Sequence, residues 1–334
     1  MNPPNFFTDK ERAQFDLTRA LKESAEGRLA GSLEAEMLQE STVRAGKMFA
    51  PDSHGFHLPF ELMRRDLTAA SASGSKLVAT EAPFALDVLR PYTATLRSGA
   101  QMKRFQGNAA IPKVAAASTG TWITDESTSI TESQATLGQV NMTPKNAAIL
   151  VEVSHQLTRQ TDIARFLQRE LLRSLGGTLD KAIFAGTGSN GQPMGIVGTS
   201  GVVGTSGTSL GWTGVTDMLY GVAEADGQEG VAWFGTPAVR RLLSRRERVT
   251  GGGRSIWDDT TIAGFPAYAS HVAPTGTLIV GPFGEVMIGL FQDGIDIMTH
   301  PTNFAQGLLA FRAWLSCDVA VTNPGAFGVA TSIT

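Results

Sequence analysis

The chain has 334 residues, of which 42% are hydrophobic and 18% are charged, so it can form one large domain or two moderate ones with real cores. Its net charge of −3 argues against a protein that binds nucleic acid through a broad basic surface. Because Cys317 is the one cysteine, an intrachain disulfide is excluded.

The N-terminal region is predicted to be an arm. Residues 1–5 lack the basic and apolar parts of a signal peptide. Residues 9–45 are charge-rich and helix-prone, with a thin apolar stripe that includes Phe15 and Leu38. Such a stripe is too narrow to form a core alone, so we expect either a solvated arm or a detachable assembly segment. A turn-rich linker follows over residues 50–74.

Residues 105–153 are the most unusual part of the chain. Residues 109–116 look extended, 118–134 are a polar tract that holds Trp122, and an extended pattern resumes at 139–141. Two strands separated by a long polar tip predict a projecting hairpin, whose tip buries too little apolar surface to fold against its own domain. Since such a hairpin exposes strand edges, we expect the hairpin and the arm to find their partners on identical copies.

A long amphipathic helix is predicted from Asp162, a plausible N-cap, to about Phe184, because apolar residues recur there at three- and four-residue spacing. A bend rich in Gly, Ser and Thr follows over residues 186–211. The C-terminal part is predicted to contain short helices at 215–224 and 237–246, strands at 232–234, 277–281 and 285–291, and a final long strand at 305–321.

The order of these elements predicts the fold class. Strands and helices are not regularly interleaved, so the mixture is α+β. The most apolar late stretch, residues 278–291, is short and interrupted by Pro282 and Glu285. We therefore expect no membrane span in it.

A first glycine motif, residues 186–191, matches the sequence pattern GxGxxG. A dinucleotide-binding turn needs a strand before it and a helix N-terminus after it. Here a helix precedes the motif, and Gln192 and Pro193 follow it. Helix termination at Gly186 is therefore the better interpretation, and no cofactor is expected.

A second motif, residues 207–211, matches the GxSxG pattern of a nucleophile elbow. It would make Ser209 the nucleophile of a serine hydrolase, with His271 or His300 as a downstream base. The residues before Ser209 are Gly, Thr and Ser, which form a poor buried strand. A hydrolase is kept as a remote alternative.

The other histidines and the acidic turns form no recognisable site. His54 and His57 have HxxH spacing, but no nearby cysteine or acidic pair completes a metal set, and His155 follows the hairpin. These three are predicted to be structural histidines. Four aspartates in glycine-rich turns are predicted to be solvated acids: Asp258, Asp259, Asp293 and Asp296. No catalytic or metal site is expected.

One basic cluster stands out, and it consists of Arg240, Arg241, Arg245, Arg246 and Arg248. On a helix these positions span more than one face and cannot all be buried. Phosphate binding is possible, and an intersubunit ion-pairing face is the favoured interpretation. The aromatic residues expected of a single-strand binding surface are missing.

The order of arm, polar hairpin, long helix, mixed domain and late strand resembles the tailed-bacteriophage major capsid protein family with the Hong Kong 97-type shell fold. The resemblance covers roughly residues 75–334. It is carried by residues 109–112, 122–126, 131–134, 140–145, 153–154, 186–196 and 264–266.

The resemblance implies a division of the chain. Its expected parts are an N-terminal arm with a possible short scaffold-like segment (1–74), a first part of the peripheral domain (75–98), the extended loop (99–148), the peripheral domain with the spine helix (149–211), the axial domain (212–304) and a closing strand (305–334). The extended loop would lie across an adjacent subunit, and the axial domains would cluster around five-fold and six-fold axes.

Some family members crosslink their subunits by an isopeptide bond between a Lys and an Asn, assisted by a Glu. We expect that chemistry to be absent, because residues 118–137 contain no Lys and none follows Lys181. Aligned on Pro324, the Asn position falls on Gly307 and the Glu position on Trp314. The N-terminal region is also much shorter than in members with a large fused scaffolding segment.

The resemblance implies a non-enzymatic subunit that assembles into an icosahedral shell through hexamers and pentamers, in the virion, after synthesis in the host bacterial cytoplasm. Expected partners are identical copies, a portal, a maturation protease, possibly scaffold or decoration proteins, and packaged double-stranded DNA contacted non-specifically. An encapsulin-type nanocompartment, which shares the fold but holds cargo enzymes, is the alternative.

Overall fold

The computed structural model describes residues 7, 15, 19–20, 23–24, 32–45, 56–59, 62, 89, 93–116, 136–154, 163–225, 227, 230–249, 251–292, 294–303 and 308–334. Its helices are α1 (Leu33–Arg44), α2 (Ala94–Arg97), α3 (Ile163–Ala185), α4 (Trp212–Glu224) and α5 (Pro237–Leu243). The strands that precede α3 are β1 (Phe56–Pro59), β2 (Gln101–Arg104), β3 (Ala109–Ala116), β4 (Thr136–Met142) and β5 (Lys145–Ser154). Those after it are β6 (Val203–Ser206), β7 (Val231–Gly235), β8 (Trp257–Asp258), β9 (Thr261–Ile262), β10 (Phe265–Ala269), β11 (Leu278–Pro282), β12 (Val286–Leu290), β13 (Gly294–Asn303), β14 (Leu308–Val321) and β15 (Gly328–Thr331).

A six-stranded sheet of order β1-β13-β14-β12-β2, with β5 also paired to β14, forms the first layer. Strand β14 has 14 residues and is central, because its N-terminal part pairs with both β13 and β5 and its C-terminal part pairs with β12. Its alternate residues face one core, as the two-residue period of a strand requires: Leu309, Phe311, Ala313, Leu315, Cys317, Val319 and Val321.

The spine helix α3 covers the inner face of this sheet. It is 23 residues long, or about 35 Å, and lies against β5 and β14. Leu171, Leu175 and Leu179 are buried in the core that it shares with the sheet. The predicted helix is confirmed, although Phe166, which belongs to the predicted apolar stripe, is 58% exposed. The predicted N-cap Asp162 lies outside the described residues.

A seven-stranded sheet of order β6-β15-β11-β7-β10-β9-β8 forms the second part of the molecule. Strand β7 is buried on both faces. Trp233 packs with α4 and α5 in a second core, while Phe234 faces the first core. The Phe234 ring centroid lies 5.2 Å from that of Phe184 on α3 and 4.6 Å from that of Phe283, so aromatic packing joins the two sheets.

The described part of the arm packs into the core of its own subunit, and the expectation that it lacks an internal partner is wrong. Phe15, Leu38 and Phe56 are at most 5% exposed and belong to the core cluster of the spine helix. Strand β1 extends the six-stranded sheet by pairing with β13. The stripe is narrow, but the sheet edge and α3 supply the rest of the surface that buries it.

Several predicted boundaries in the C-terminal half also need correction. Strand β13 lies where no long strand is predicted, and β6 lies inside the predicted bend. Helix α5 ends at Leu243 rather than at residue 246. The chain does not end on its long strand, because β15 returns to the seven-stranded sheet. Strands β12 and β13 belong to the six-stranded sheet, so the expected boundary at residue 304 does not coincide with the change of sheet.

Candidate functional site: the projecting hairpin and the surfaces around it

Strands β3 and β4 form an antiparallel hairpin, as predicted. Their register runs from Ala109 opposite Met142 to Val114 opposite Leu137, and it shifts between Val114 and Ala116. Among the described residues this pair forms a separate two-stranded sheet that joins neither larger sheet. The polar tip, residues 117–135, lies outside the described residues. A hairpin of two strands is marginally stable by itself in water, so a surface for these strands is missing from the described subunit.

The root of the hairpin is anchored by apolar contacts. Met142 is completely buried, whereas its neighbour Asn141 is exposed. A Cβ atom on Gly289 of β12 would lie 2.8 Å from Met142 Cε and 3.1 Å from Phe105 Cδ2, so both side chains pack closely over this glycine. The Phe105 ring in turn packs 6.2 Å from that of Phe291.

A buried carboxylate fixes the other side of the root. Asp318 of β14 is 1% exposed. Its Oδ2 accepts the Thr143 backbone N–H at 2.9 Å, and its Oδ1 lies 2.7 Å from Lys145 Nζ and also accepts the Val319 N–H. Asp318, Gly289 and Met142 were not singled out from the sequence, because a single acid or glycine in a strand carries no local pattern. The hairpin therefore projects from a rigid base.

Of the predicted structural histidines, His57 is described, and it forms a buried pair with Asp296. Its Nδ1 lies 2.7 Å from Asp296 Oδ1, and the two residues face each other between β1 and β13. Asp296 is 8% exposed, so the prediction of a solvated acid is wrong for it. The pair fastens the arm to the sheet edge. His54, His155 and Asp293 lie outside the described residues.

Residues 186–191 terminate the spine helix, as predicted from the sequence. Gly186 follows α3, and a Cβ there would lie 2.2 Å from the Pro193 carbonyl oxygen. An isolated bridge between Thr187 and Met194 closes the turn. No helix begins directly after the motif, so it offers no N-terminal amides to a pyrophosphate.

Ser209 lies in a turn between β6 and α4, with a left-handed φ of 53°. Strand β6 precedes it, and β6 is an exposed edge strand of the sheet, in agreement with the prediction that these residues form a poor buried strand. His271 lines a cavity beside α3 with Lys181 and Cys317, and His300 is exposed on β13. Among the described residues, no hydrogen bond joins Ser209 to either histidine.

Asp258 and Asp259 lie at β8 of the second sheet, and the basic cluster lies on α5 and in the segment that follows it. Asp258 and Asp259 are exposed at the β8–β9 turn, as predicted for solvated acids. Three of the five arginines, Arg240, Arg246 and Arg248, donate to backbone oxygens of their own subunit, and the intersubunit ion-pairing face stays a prediction. Arg241 and Arg245 are exposed.

The positions aligned with the crosslinking residues give a partial picture. Trp314 is half-buried on β14, with the guanidinium carbon of Arg312 5.1 Å from its ring centroid. Gly307 lies outside the described residues.

Cys317 is buried. Its burial and, to a smaller extent, the charge of Asp318 raise the pKa of its thiol to about 12. A thiol with that pKa is unreactive at neutral pH.

Within the described ranges, no three His, Cys, Asp or Glu side chains are grouped so that they could hold a metal ion. No helix among those that the structure describes is both long and apolar enough to cross a membrane.

Comparison with known proteins agrees with the shell fold. The chain resembles the capsid subunit of an empty GTA particle with a TM-score of 0.59 at 14% identity, covering 80% of this chain and 95% of that one. It resembles a chain of Microbacterium phage Oxtober96 with a TM-score of 0.56 at 17% identity, covering 80% and 96%. At these identities the likeness establishes the fold, which is the Hong Kong 97-type shell fold.

Sequence comparison identifies the family. The chain is 24% identical over 336 residues to the major capsid protein of Halomonas phage phiHAP-1, a match that covers 97% of this chain and 55% of the relative. The chain thus spans about half the length of the curated relative that it matches. The model of the phage capsid family matches residues 89–332, which include the hairpin, the spine helix and, apart from β1, the strands of both larger sheets. The chain belongs to the phage capsid family.

Proposed function

We propose that the chain is the major capsid subunit of a tailed phage and that it assembles, through pentamers and hexamers, into an icosahedral shell around double-stranded DNA. The observation that carries the proposal is the hairpin of β3 and β4, which forms a sheet of its own in the described subunit. Family membership supports the same role. The role is structural and needs no catalytic group.

The two larger sheets support a division into functional parts. We assign the six-stranded sheet and α3 to the peripheral domain, since they hold the first core and the root of the hairpin. The seven-stranded sheet with α4 and α5 is assigned to the axial domain around the symmetry axes. The hairpin is the extended loop that lies on an adjacent subunit, where an exposed pair of strands finds the surface it lacks.

The proposed role also implies partners and a location. The subunit resides in the virion after assembly in the host cytoplasm. A portal, a maturation protease and packaged DNA are proposed partners, and scaffold or decoration proteins are further candidates. Because the tip has no Lys between residues 118 and 137, the shell holds together by non-covalent contacts.

Assembly of the purified protein tests the proposal. Negative-stain microscopy and sedimentation velocity should show closed particles for the full chain. Deleting residues 118–136 should yield soluble capsomers or aggregates, because the hairpin loses its contact with the neighbour. Normal shells from the deletion variant would contradict this role of the hairpin.

Two controls sharpen the experiment. Replacing residues 118–134 by a Gly/Ser segment of equal length separates the sequence of the tip from its length, and we expect that variant to fail in assembly too. The content of particles made during infection distinguishes the alternatives. DNA inside them supports a virion shell, whereas cargo protein without DNA supports the encapsulin-type compartment.

A further inference from the structure

A recess of about 420 Å³ lies where α5, the loop at Thr275 and Gly276, and Ile333 after β15 meet. Three arginines line it, and the remaining lining is mainly apolar. The arginines are Arg241, Arg245 and Arg246. No carboxylate belongs to the lining found in the described part of the chain. The recess is therefore strongly electropositive and partly shielded from water.

The other two arginines of the basic cluster point to different partners. Arg240 donates to the Asp259 carbonyl oxygen at 3.1 Å and lies 6.0 Å from the Trp257 ring. Arg248 lies 4.6 Å from the Trp212 ring and 3.9 Å from an Asp258 oxygen. The cluster that looks continuous in sequence is thus divided, and three cations remain at the recess.

Arg246 is oriented by contacts with its own subunit. Its Nη1 donates to the Leu210 carbonyl oxygen at 2.8 Å, and its Nη2 donates to the backbone oxygen of Thr334. Hydrogen bonds of this kind fix the plane of a guanidinium group. The group is held at the recess before any ligand arrives.

Arg241 and Arg245 lack a counter-ion in the described structure. Arg241 lies in the last turn of α5 and Arg245 lies just beyond the end of that helix, and both line the recess. No hydrogen bond or ion pair to either side chain is formed by the residues that the structure describes. Nearby acids are used elsewhere, since Glu247 accepts the Gly251 N–H at 2.7 Å and Asp258 lies beside Arg248.

We propose that this recess is a binding site for a phosphate-type anion that carries two or more negative charges. Guanidinium groups recognise phosphate oxygens by paired hydrogen bonds, and three of them can surround a compact polyanion. The inference goes beyond the proposed function, because a shell subunit can assemble with or without such a ligand.

Calorimetric titration of the full chain with inorganic tripolyphosphate tests the site. The double variant R241A/R245A should lose at least tenfold in affinity. The matched control R169A/R173A removes two exposed arginines with the same spacing from α3, far from this recess in the sequence, and should bind within twofold of the wild type. Equal affinity for wild type and R241A/R245A, or an equal loss in the control, would overturn the proposal.

Two further measurements distinguish charge from geometry and identify the source of the phosphate. R241K/R245K keeps both charges but loses the paired hydrogen bonds, so we expect an intermediate loss of affinity. Full affinity would overturn the assigned guanidinium geometry.

A short DNA duplex serves as the second probe. If the duplex competes with tripolyphosphate for the wild type and this competition is lost in R241A/R245A, backbone phosphates are supported as the source. If R241A/R245A binds the duplex as well as the wild type does, a free anion is supported as the ligand. Particle formation by R241A/R245A separates this result from the assembly role.

Discussion

Strand β14 and the hairpin strands β3 and β4 differ in where their side chains find contacts. From Leu315 to Val321 every residue of β14 is buried, and the strand pairs with three neighbouring strands. In the hairpin, the described side chains from Ala109 to Ile111 and from Gly138 to Asn141 are exposed or half-buried, and only Met142 at the root is fully buried. The sheet around β14 is stabilised within the subunit, whereas the hairpin depends on a surface outside the described subunit.

The arm shows that a segment whose sequence predicts exposure can still be buried within its own subunit. Its apolar stripe is as thin as one would expect of a mobile segment, yet Leu38 and Phe56 lie in the main core. What separates the arm from the hairpin is the presence of a receiving surface in the same subunit. Strand β13 offers an edge to β1, and the His57–Asp296 pair fastens it there.

The largest loss of stability is expected at the root of the hairpin, where it joins the sheet around β14. Asp318→Ala leaves the Lys145 ammonium without its carboxylate and removes the acceptor of the Thr143 and Val319 N–H groups. We expect the free energy of unfolding, measured by urea titration of unassembled protein, to fall by about 3–5 kcal/mol. Glu152→Ala, at an exposed acid on β5, is the control. Equal stability of the two variants would show that the root is not anchored by this carboxylate.

The second-largest loss of stability is expected in the spine helix. Leu175→Ala empties a completely buried position and should cost roughly 3 kcal/mol in the same urea titration. Phe166→Ala removes a larger side chain that is 58% exposed, and it should change stability far less. A larger loss from Phe166→Ala would place the helix in a different orientation on the sheet.

A smaller, pH-dependent effect is expected at Asp180. Burial raises the pKa of its carboxyl above the ordinary value of 3.8, against the opposing hydrogen bonds from Thr95 and Ala94. A raised pKa means that the folded state binds the proton more tightly than the unfolded state, so ionisation above the folded pKa costs stability. The stability of the wild type relative to Asp180→Asn should therefore increase as pH falls from 7 toward 4. Urea titrations at both pH values measure it, and an unchanged difference would contradict the raised pKa.

The smallest effect on stability is expected in the hairpin itself. Ala110→Ser and Asn141→Ser alter exposed residues that face each other across the two strands. Each should change the free energy of unfolding of unassembled protein by less than about 0.5 kcal/mol. A loss as large as that of Leu175→Ala would mean that the hairpin packs on its own subunit, and the contrast between the two regions would disappear.

Local periodicity determined the parts of this protein that were predicted correctly from its sequence. The recurrence of Leu171, Leu175 and Leu179 defines one face of a helix, and the spine helix forms where that pattern lies. Extended segments on either side of a polar tract likewise predict the hairpin. Both signals depend on residues close together in the chain.

The tertiary structure alone decided which surfaces these elements meet. Asp296 lies in a polar-looking turn sequence, but β1 arrives from residue 56 and buries it against His57. The five clustered arginines are likewise divided between tryptophan rings, carbonyl oxygens and an open recess by neighbours remote in sequence. Burial and charge pairing depend on contacts between distant segments, whereas periodicity depends only on adjacent residues, and this difference separates what could be predicted from what could not.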